Sequence, residues 1–345
     1  MALWLIRAGK YGEHEQRFFA NHCVYLTWED LATNDLSTAK NYADIKTIVR
    51  AAYPDAPERR LGNFSGQIWA FALEMKVGDW IALPLKTKSA IAIGEITSAY
   101  EYDATGEPLF RHKLQIKWLN IEIPRTAFDQ DLLYSFGAAM TICKIERNDA
   151  EKRVRAMARA NWNGAVASAL PNESPESSEA DSRINLELLA RDQIARLIIR
   201  KFKGHGMARL VEAVLQAQGY TTHLSPEGPD KGIDILAAAG ALGFERPRIC
   251  VQVKSGDSPV DLPTLNQLIG AMQNVHADQG LLVSWGGFKS SVLKESPTQF
   301  FRVRLWDQDD LIRELLANYD KLDDEIKAEL PLKRIWTVTA QNDEE

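Results

Sequence analysis

Short apolar bursts separated by turn-forming residues dominate the first 160 positions of the chain. L-W-L-I at 3–6 predicts a strand that ends in the turn R-A-G-K-Y-G, and C-V-Y-L-T-W from Cys23 to Trp28 predicts a second. Between Ser37 and Tyr53 the apolar residues Tyr42, Ile45, Ile48 and Val49 recur at helical spacing. Asn34, Asp35 and Ser37 are all candidate N-caps for that helix. Gly62, Asn63, Ser65 and Gly66 mark a loop before a short helix at W-A-F-A-L-E-M. V-G-D-W-I-A-L-P-L and I-A-I-G-E-I-T-S-A-Y-E-Y read as two strands joined by K-T-K-S at 86–89. Residues 113–118 alternate strictly, 139–145 form another strand, and 147–160 a charged closing helix. Many short strands and few helices predict a small, strongly curved sheet or barrel.

The pattern then changes. Residues 163–183 are rich in Ser, Pro, Glu and Ala with little to bury, which predicts a flexible boundary. The expected organisation is a first domain over 1–162, a linker over 163–184 and a second domain over 185–345. An amphipathic helix runs from the linker to Phe202. Its basic end (Arg200, Lys201, Lys203) either touches a phosphate backbone or complements the helix dipole. A helix follows from Met207 to Gln218, with Leu210, Val211, Val214 and Leu215 as its stripe and Gly219 as its stop. Next come the strand Y-T-T-H-L, the turn S-P-E-G-P-D-K-G, a strand with Asp234 and a strand with Gln252. A helix with Pro263 in its first turn, the strand G-L-L-V-S-W, a helix, the strand F-R-V-R-L-W and a last helix complete the order. Meander strands first and helical crossovers later predict an α/β mixed sheet flanked by helices.

The candidate chemistry lies on two neighbouring strands. G-I-D-I-L carries Asp234, and C-V-Q-V-K carries Gln252 and Lys254 two apart, hence on one face with Cys250. A carboxylate, an amide oxygen and a lysine converging at a sheet edge hold a hard cation and polarise a phosphodiester. The bland alternative is an inert Asp234–Lys254 ion pair, which is only weakly rewarding when buried. Lys289, after Gly286 and Gly287, is a candidate phosphate contact. His223 and Asp230 flank the turn before Asp234 and read as loop polar residues that approach the site.

The first domain holds Trp4, Trp28, Trp69, Trp80 and Trp118. They fill a core, or two or three of them wall a slot for a flipped base. In the second case Asn63, Ser65 and Gln67, beside Phe64 and Trp69, are the edge readers.

Composition narrows the class without deciding it. Of the 345 residues, 45% are hydrophobic and 26% charged, as in a soluble globular protein. No apolar run is long enough to span a bilayer. The start M-A-L-W-L-I-R-A-G-K lacks a cleavable signal pattern. Three scattered cysteines, Cys23, Cys143 and Cys250, suit buried thiols in a reducing cytoplasm rather than zinc or disulfides. The net charge of −6 argues weakly against nucleic acid, but residues 1–160 are balanced, with 21 basic against 20 acidic side chains. A local basic groove is enough for a nuclease. No G-x-x-x-x-G-K-[ST] is present, so the chain has no P-loop of its own.

Two resemblances sharpen this reading. The hydrophobic-Trp first strand, Trp28 at the end of the second, the loop before W-A-F, and the V-G-D-W and G-E-I strands resemble PUA-like domains of the EVE type. That resemblance implies a modified-base reader with a pocket drawn from Trp28, Asn63, Phe64, Ser65 and Trp69. Over roughly 205–315, G-P-D-K-G-I-D-I, V-Q-V-K, G-Y after the first helix, L-I-G-A-M and V-S-W-G-G-F-K resemble the Mrr-type restriction endonuclease domain of the PD-(D/E)xK superfamily. It implies Asp234 as metal-binding acid, Lys254 as active-site lysine, Gln252 in the place usually held by Asp or Glu, and Glu212 as the helix-borne acid. A neutral amide binds a cation less strongly than a carboxylate, so Gln252 makes Glu212 more necessary. The expectation is a cytoplasmic, Mg²⁺-dependent DNA endonuclease of the restriction type, cutting modified DNA sensed by the first domain. A homodimer is expected if both strands are cut. Two other readings stay open: a DNA- or RNA-binding module with an inactive nuclease fold, and a structure-specific repair nuclease.

Overall fold

The computed structural model describes residues 1–138, 140–162, 186–226 and 232–336. The chain divides into two compact units at Leu189–Ala190. The expected linker over 163–184 lies outside the described residues, as does Asp230.

The first unit contains β1 (Leu3–Ile6), α1 (Glu15–Ala20), β2 (Cys23–Tyr25), α2 (Tyr42–Ala52), α3 (Glu58–Trp69), β3 (Trp80–Pro84), β4 (Ala90–Ile96), β5 (Glu101–Tyr102), β6 (His112–Pro124), α4 (Gln130–Phe136), β7 (Ile142–Lys144) and α5 (Ala150–Arg159). Its seven strands form one sheet in the order β2-β6-β4-β3-β1-β7, with β5 paired to β6. Only β1 and β3 run parallel.

Side chains alternate between two covered faces. Trp4, Ile6, Ile81, Leu83 and Ala92 pack with Ile45, Val49, Leu61, Phe64 and Ile68 of α2 and α3. Leu3, Leu5, Trp80, Ala82, Ile91 and Ile93 pack with Leu132, Phe136, Val154 and Met157 of α4 and α5. The register of β4 against β6 shifts twice around Ile93, which adds twist. Gly94 sits there because a Cβ would lie 2.4 Å from Ile116 Cγ2. The sheet curls but does not close: among the described residues, no pairing joins β2 to β7. The expected barrel is therefore a half-barrel clad on both sides.

Three local expectations are corrected. Gly62 through Gly66 are helical, part of α3. Leu61, Phe64, Ser65 and Ile68 form a buried stripe at helical spacing, which outweighs about 1 kcal/mol lost at each glycine. The α2 cap is Asn41, reciprocated by Asp44 in a capping box, whereas Asp35 caps a short 3₁₀ turn at Leu36–Thr38. Trp28 lies beyond β2, at the start of a second 3₁₀ turn.

The second unit is built from α6 (Leu186–Phe202), α7 (His205–Ala217), β8 (Thr221–Leu224), β9 (Ile235–Ala239), β10 (Glu245–Lys254), α8 (Leu262–Asn274), β11 (Gln279–Ser284), α9 (Ser290–Glu295), β12 (Val303–Trp306), α10 (Gln308–Asn318) and α11 (Asp324–Glu329). The sheet order is β12-β11-β10-β9-β8. β8, β9 and β10 are an antiparallel meander, and β10, β11 and β12 run parallel, as the element order predicts. Val251, Ile235, Leu281 and Val283 face Val211, Val214 and Leu215 of α7 and Leu311 and Leu315 of α10. Cys250 and Leu282 face Leu265, Leu268 and Met272 of α8 and Val292 of α9. Gly219 closes α7 at a φ of +96°. Among the described residues no helix is long and apolar enough to cross a membrane.

Candidate active site

Asp234 is the residue just before β9. Its N–H donates to Val251 O (3.0 Å) and its carbonyl accepts from Ser225 N–H (2.8 Å). Its carboxylate Oδ2 accepts the N–H of Val253 at 2.7 Å. One strand residue thus pins the carboxylate between Gln252 and Lys254.

Gln252 is completely buried. Alternation along β10 puts it on the Cys250 side, under α8. A Cβ on Gly232 would lie 3.2 Å from Gln252 Nε2 and 3.1 Å from Nε2 of Gln267, which α8 carries. Neither Nε2 nor Oε1 of Gln252 has a hydrogen-bond partner among the described residues. A buried amide left this way costs free energy and calls for an explanation. The Cys250 thiol beside it is pushed up to about 11 by burial and by nearby Asp234, so it stays protonated and unreactive.

Lys254 ends β10 and is exposed. It forms no ion pair with Asp234 or with any other described acid, and neither does Lys289. The inert-pair alternative is not what the chain folds into. Both lysines, with Asp234, His205, Asp261 and Thr264, line one cleft of about 720 Å³. It opens where β10 ends and where α7 and α8 begin. Gly204 N–H donates to Ser255 Oγ at 2.9 Å, tying the start of α7 to the loop after Lys254. That loop is fastened to the segment after β11. Val260 N–H donates to Gly287 O and Lys289 N–H to Val260 O, both at 2.9 Å. A Cβ on Gly286 would lie 2.6 Å from the Asp257 carbonyl carbon, so only glycine allows this approach.

Asp261 caps α8. Its Oδ1 accepts from Thr264 N–H (3.3 Å) and Oγ1 (2.9 Å). Those bonds, with help from Lys289, hold its carboxyl below the usual carboxylate range. The sequence reading passed over Asp261 and His205. D-L-P-T is the cap signal of α8, and nothing in it tells a cap from a site residue.

Glu212 stands elsewhere. It sits on α7 seven residues past His205, about 10 Å further along the axis, and does not line the cleft. Its carboxylate accepts from Thr222 Oγ1 at 2.9 Å. His223 is exposed and also outside the cleft lining.

The reader candidates of the first unit separate into distinct environments. Trp28 and Phe64 touch, with ring centroids 4.7 Å apart, and Tyr53 covers Phe64 at 5.1 Å. A base stacked between two rings needs about 7 Å, twice the 3.4 Å rise of stacked bases, so these rings do not wall a slot. Ser65 is fully buried and its hydroxyl donates to Leu61 O, so it is not an edge reader. Asn63 accepts from Gln67 Nε2, and Gln67 Oε1 accepts Ile142 N–H. Trp69 packs on Tyr42, and its Nε1 donates to Glu74.

Residues 199–315 match the family model of the Mrr catalytic domain, described as a restriction endonuclease. The match contains Asp234, Gln252, Lys254, Asp261 and Lys289. Residues 4–141 match a domain of unknown function. No curated protein matches the chain. Among solved structures, the DNA modification-dependent restriction endonuclease AspBHI is similar at 14% identity, covering 80% of this chain and 74% of its own, with a TM-score of 0.34. The MspJI restriction endonuclease in complex with a 27-mer oligonucleotide is similar at 14% identity, covering 96% and 80%, with a TM-score of 0.27. By the family match over residues 199–315, the cleft of the second unit lies in a restriction endonuclease domain.

Proposed function

We propose that the chain is a divalent-cation-dependent DNA endonuclease of the restriction type, cutting at the cleft between α7 and α8. The observation that carries this reading is the pinned Asp234 carboxylate beside Lys254, a cation with no acid partner among the described residues, inside the endonuclease domain. Free Lys254 and Lys289 suit the phosphates of a nucleic acid.

The donor set fits a hard cation such as Mg²⁺. Asp234 supplies a carboxylate at the cleft, and the buried Gln252 beside it on β10 has an amide oxygen with no hydrogen-bond partner among the described residues. Among the described residues no group of three His, Cys, Asp or Glu side chains is arranged to hold a metal, and the proposed set includes the Gln252 amide. When bound there, the ion would draw charge from the scissile phosphate and lower the pKa of a bound water.

The chain's own groups do the rest. Lys289 and the first turn of α7 hold the phosphate by charge and by N–H groups. Lys254 orients the attacking water and stabilises the charge gathering on the phosphoryl oxygens as the new P–O bond forms and the bond to the leaving oxygen breaks. The first unit is proposed to read the base modification, on the resemblance of its sequence to PUA-like domains of the EVE type.

The test is plasmid cleavage with Mg²⁺, comparing the native chain with Lys254→Ala on unmodified, 5-methylcytosine and 5-hydroxymethylcytosine DNA. Loss of about 10²–10³-fold in rate is expected for the variant, with cleavage of native enzyme favouring one modified substrate. Equal rates for the two proteins would sink the mechanism, and indifference to modification would sink the reader.

A further inference from the structure

The nuclease reading leaves one carboxylate, Asp234, and one neutral amide, Gln252, to hold a doubly charged ion. We propose that Asp261, the cap of α8, is the second carboxylate of the active site, in place of the helix acid Glu212. The inference rests on the nuclease reading and names a further cation-binding residue within it.

The two faces of the sheet decide between the candidates. Val251 points toward α7, and Cys250 and Gln252 toward α8. Gln252 shares the neighbourhood of Gly232 with Gln267 of α8. A carboxylate that completes a site with Gln252 is best supplied from the α8 side. Asp261 stands at the start of α8 and lines the cleft together with Asp234 and Lys254. Glu212 is carried by α7, on the other face, and its carboxylate is engaged by Thr222.

The chemistry of Asp261 agrees. Its capping bonds from Thr264 both go to Oδ1, and Oδ2 has no hydrogen-bond partner among the described residues. A cap needs no charge, because Asn, Ser and Thr serve as well as Asp. The charge is therefore surplus to capping, and it faces a cleft that also contains Lys254 and Lys289, neither of which is in a salt bridge with a described acid. The amide of Gln252, fully buried and without a hydrogen-bond partner among the described residues, does not itself line the cleft but lies on the α8 face of the strand that ends in it, and it is the independent sign of a ligand on this face.

The full-length chain and its Asp261→Asn, Glu212→Gln and Asp234→Asn variants would be titrated with Mn²⁺ by calorimetry, with Mg²⁺-supported DNA cleavage measured in parallel. Asparagine retains the cap, so Asp261→Asn melts like the native chain. The expected result is Mn²⁺ binding weakened by about tenfold or more and cleavage slowed about 100-fold in Asp261→Asn and in Asp234→Asn, with Glu212→Gln unchanged in both. The inference is overturned if Asp261→Asn binds Mn²⁺ and cleaves like the native chain while Asp234→Asn does not. If Asp234→Asn also behaves like the native chain, the nuclease reading itself fails, and the two failures are thereby told apart.

Discussion

Replacing Gln252 by methionine should make the second unit more stable and the enzyme inactive. The side chain is fully buried and both polar atoms of its amide lack partners among the described residues. Each unsatisfied buried group costs about 1–3 kcal/mol, so two cost roughly 2–6 kcal/mol. Methionine is similar in length, unbranched and adaptable, and the misfit of a near-isosteric swap costs about 1.5 kcal/mol or less. The net expectation is a gain of about 0.5–6 kcal/mol, or a rise of roughly 1–24 °C in Tm for a unit of this size. The assay is urea unfolding with a chelator present, resolving the transition of the second unit, then repeated with Mn²⁺. Under chelation Gln252→Met should be the more stable protein. With Mn²⁺ the native chain should gain stability by mass action and the variant much less. Cleavage by the variant should fall about 100-fold or more. A variant that is less stable under chelation would show that the amide is satisfied in the native fold. One that cleaves normally would show that its oxygen is no ligand. Either result refutes the reasoning.

Two further outcomes follow from other parts of the fold. Gly286→Ala puts a Cβ 2.6 Å from the Asp257 main chain, so the loop that aligns Lys254, Asp261 and Lys289 must shift; cleavage should drop about 100-fold while the circular dichroism spectrum stays native. His112 is buried, with Nε2 against Leu31 O and Nδ1 against the Tyr100 hydroxyl, and burial lowers its pKa from 6.5. A histidine whose folded pKa is depressed adds stability that is complete above the unfolded value and lost as pH falls below it. Unfolding of the first unit should therefore grow easier from about pH 6.5 downward, and His112→Gln should flatten that part of the profile.

Much of the second unit was legible because its punctuation is local. Gly219 ends a helix, Pro263 begins one, and Asp234, Gln252 and Lys254 lie on adjacent strands where a period of two fixes their faces. The first unit was harder. Its strands at Leu3–Ile6 and Trp80–Pro84 are buried at every position, the mark of a sheet covered on both faces, yet short strands alone suggested a barrel. Gly62 and Gly66 carry a turn signal that the buried stripe of α3 overrides. The aromatic candidates do not gather into one slot: Asn63 and Ser65, spaced as neighbours in a loop, stand about 200° apart around a helix, while Trp28 and Phe64 pack against each other.

The position of Glu212 shows where sequence reading stops and packing begins. A one-turn slide of α7 along the sheet would move its carboxylate by about 5 Å, and nothing in the order of elements sets that slide. Packing of Val211, Val214 and Leu215 sets it. Asp261 is positioned differently. It caps α8, and the hydrogen bonds from Val260 to Gly287 and from Lys289 to Val260 tether the residue before it to β11's outgoing loop. The loop that bears Lys289 is thus the loop that steadies Asp261. A site that draws its second carboxylate from a helix cap has that acid positioned by backbone hydrogen bonds, whereas an acid in mid-helix depends on how the whole helix packs. This difference is why substitutions at Gly286 and Asp261 should impair the same step, and why Glu212→Gln should leave it intact.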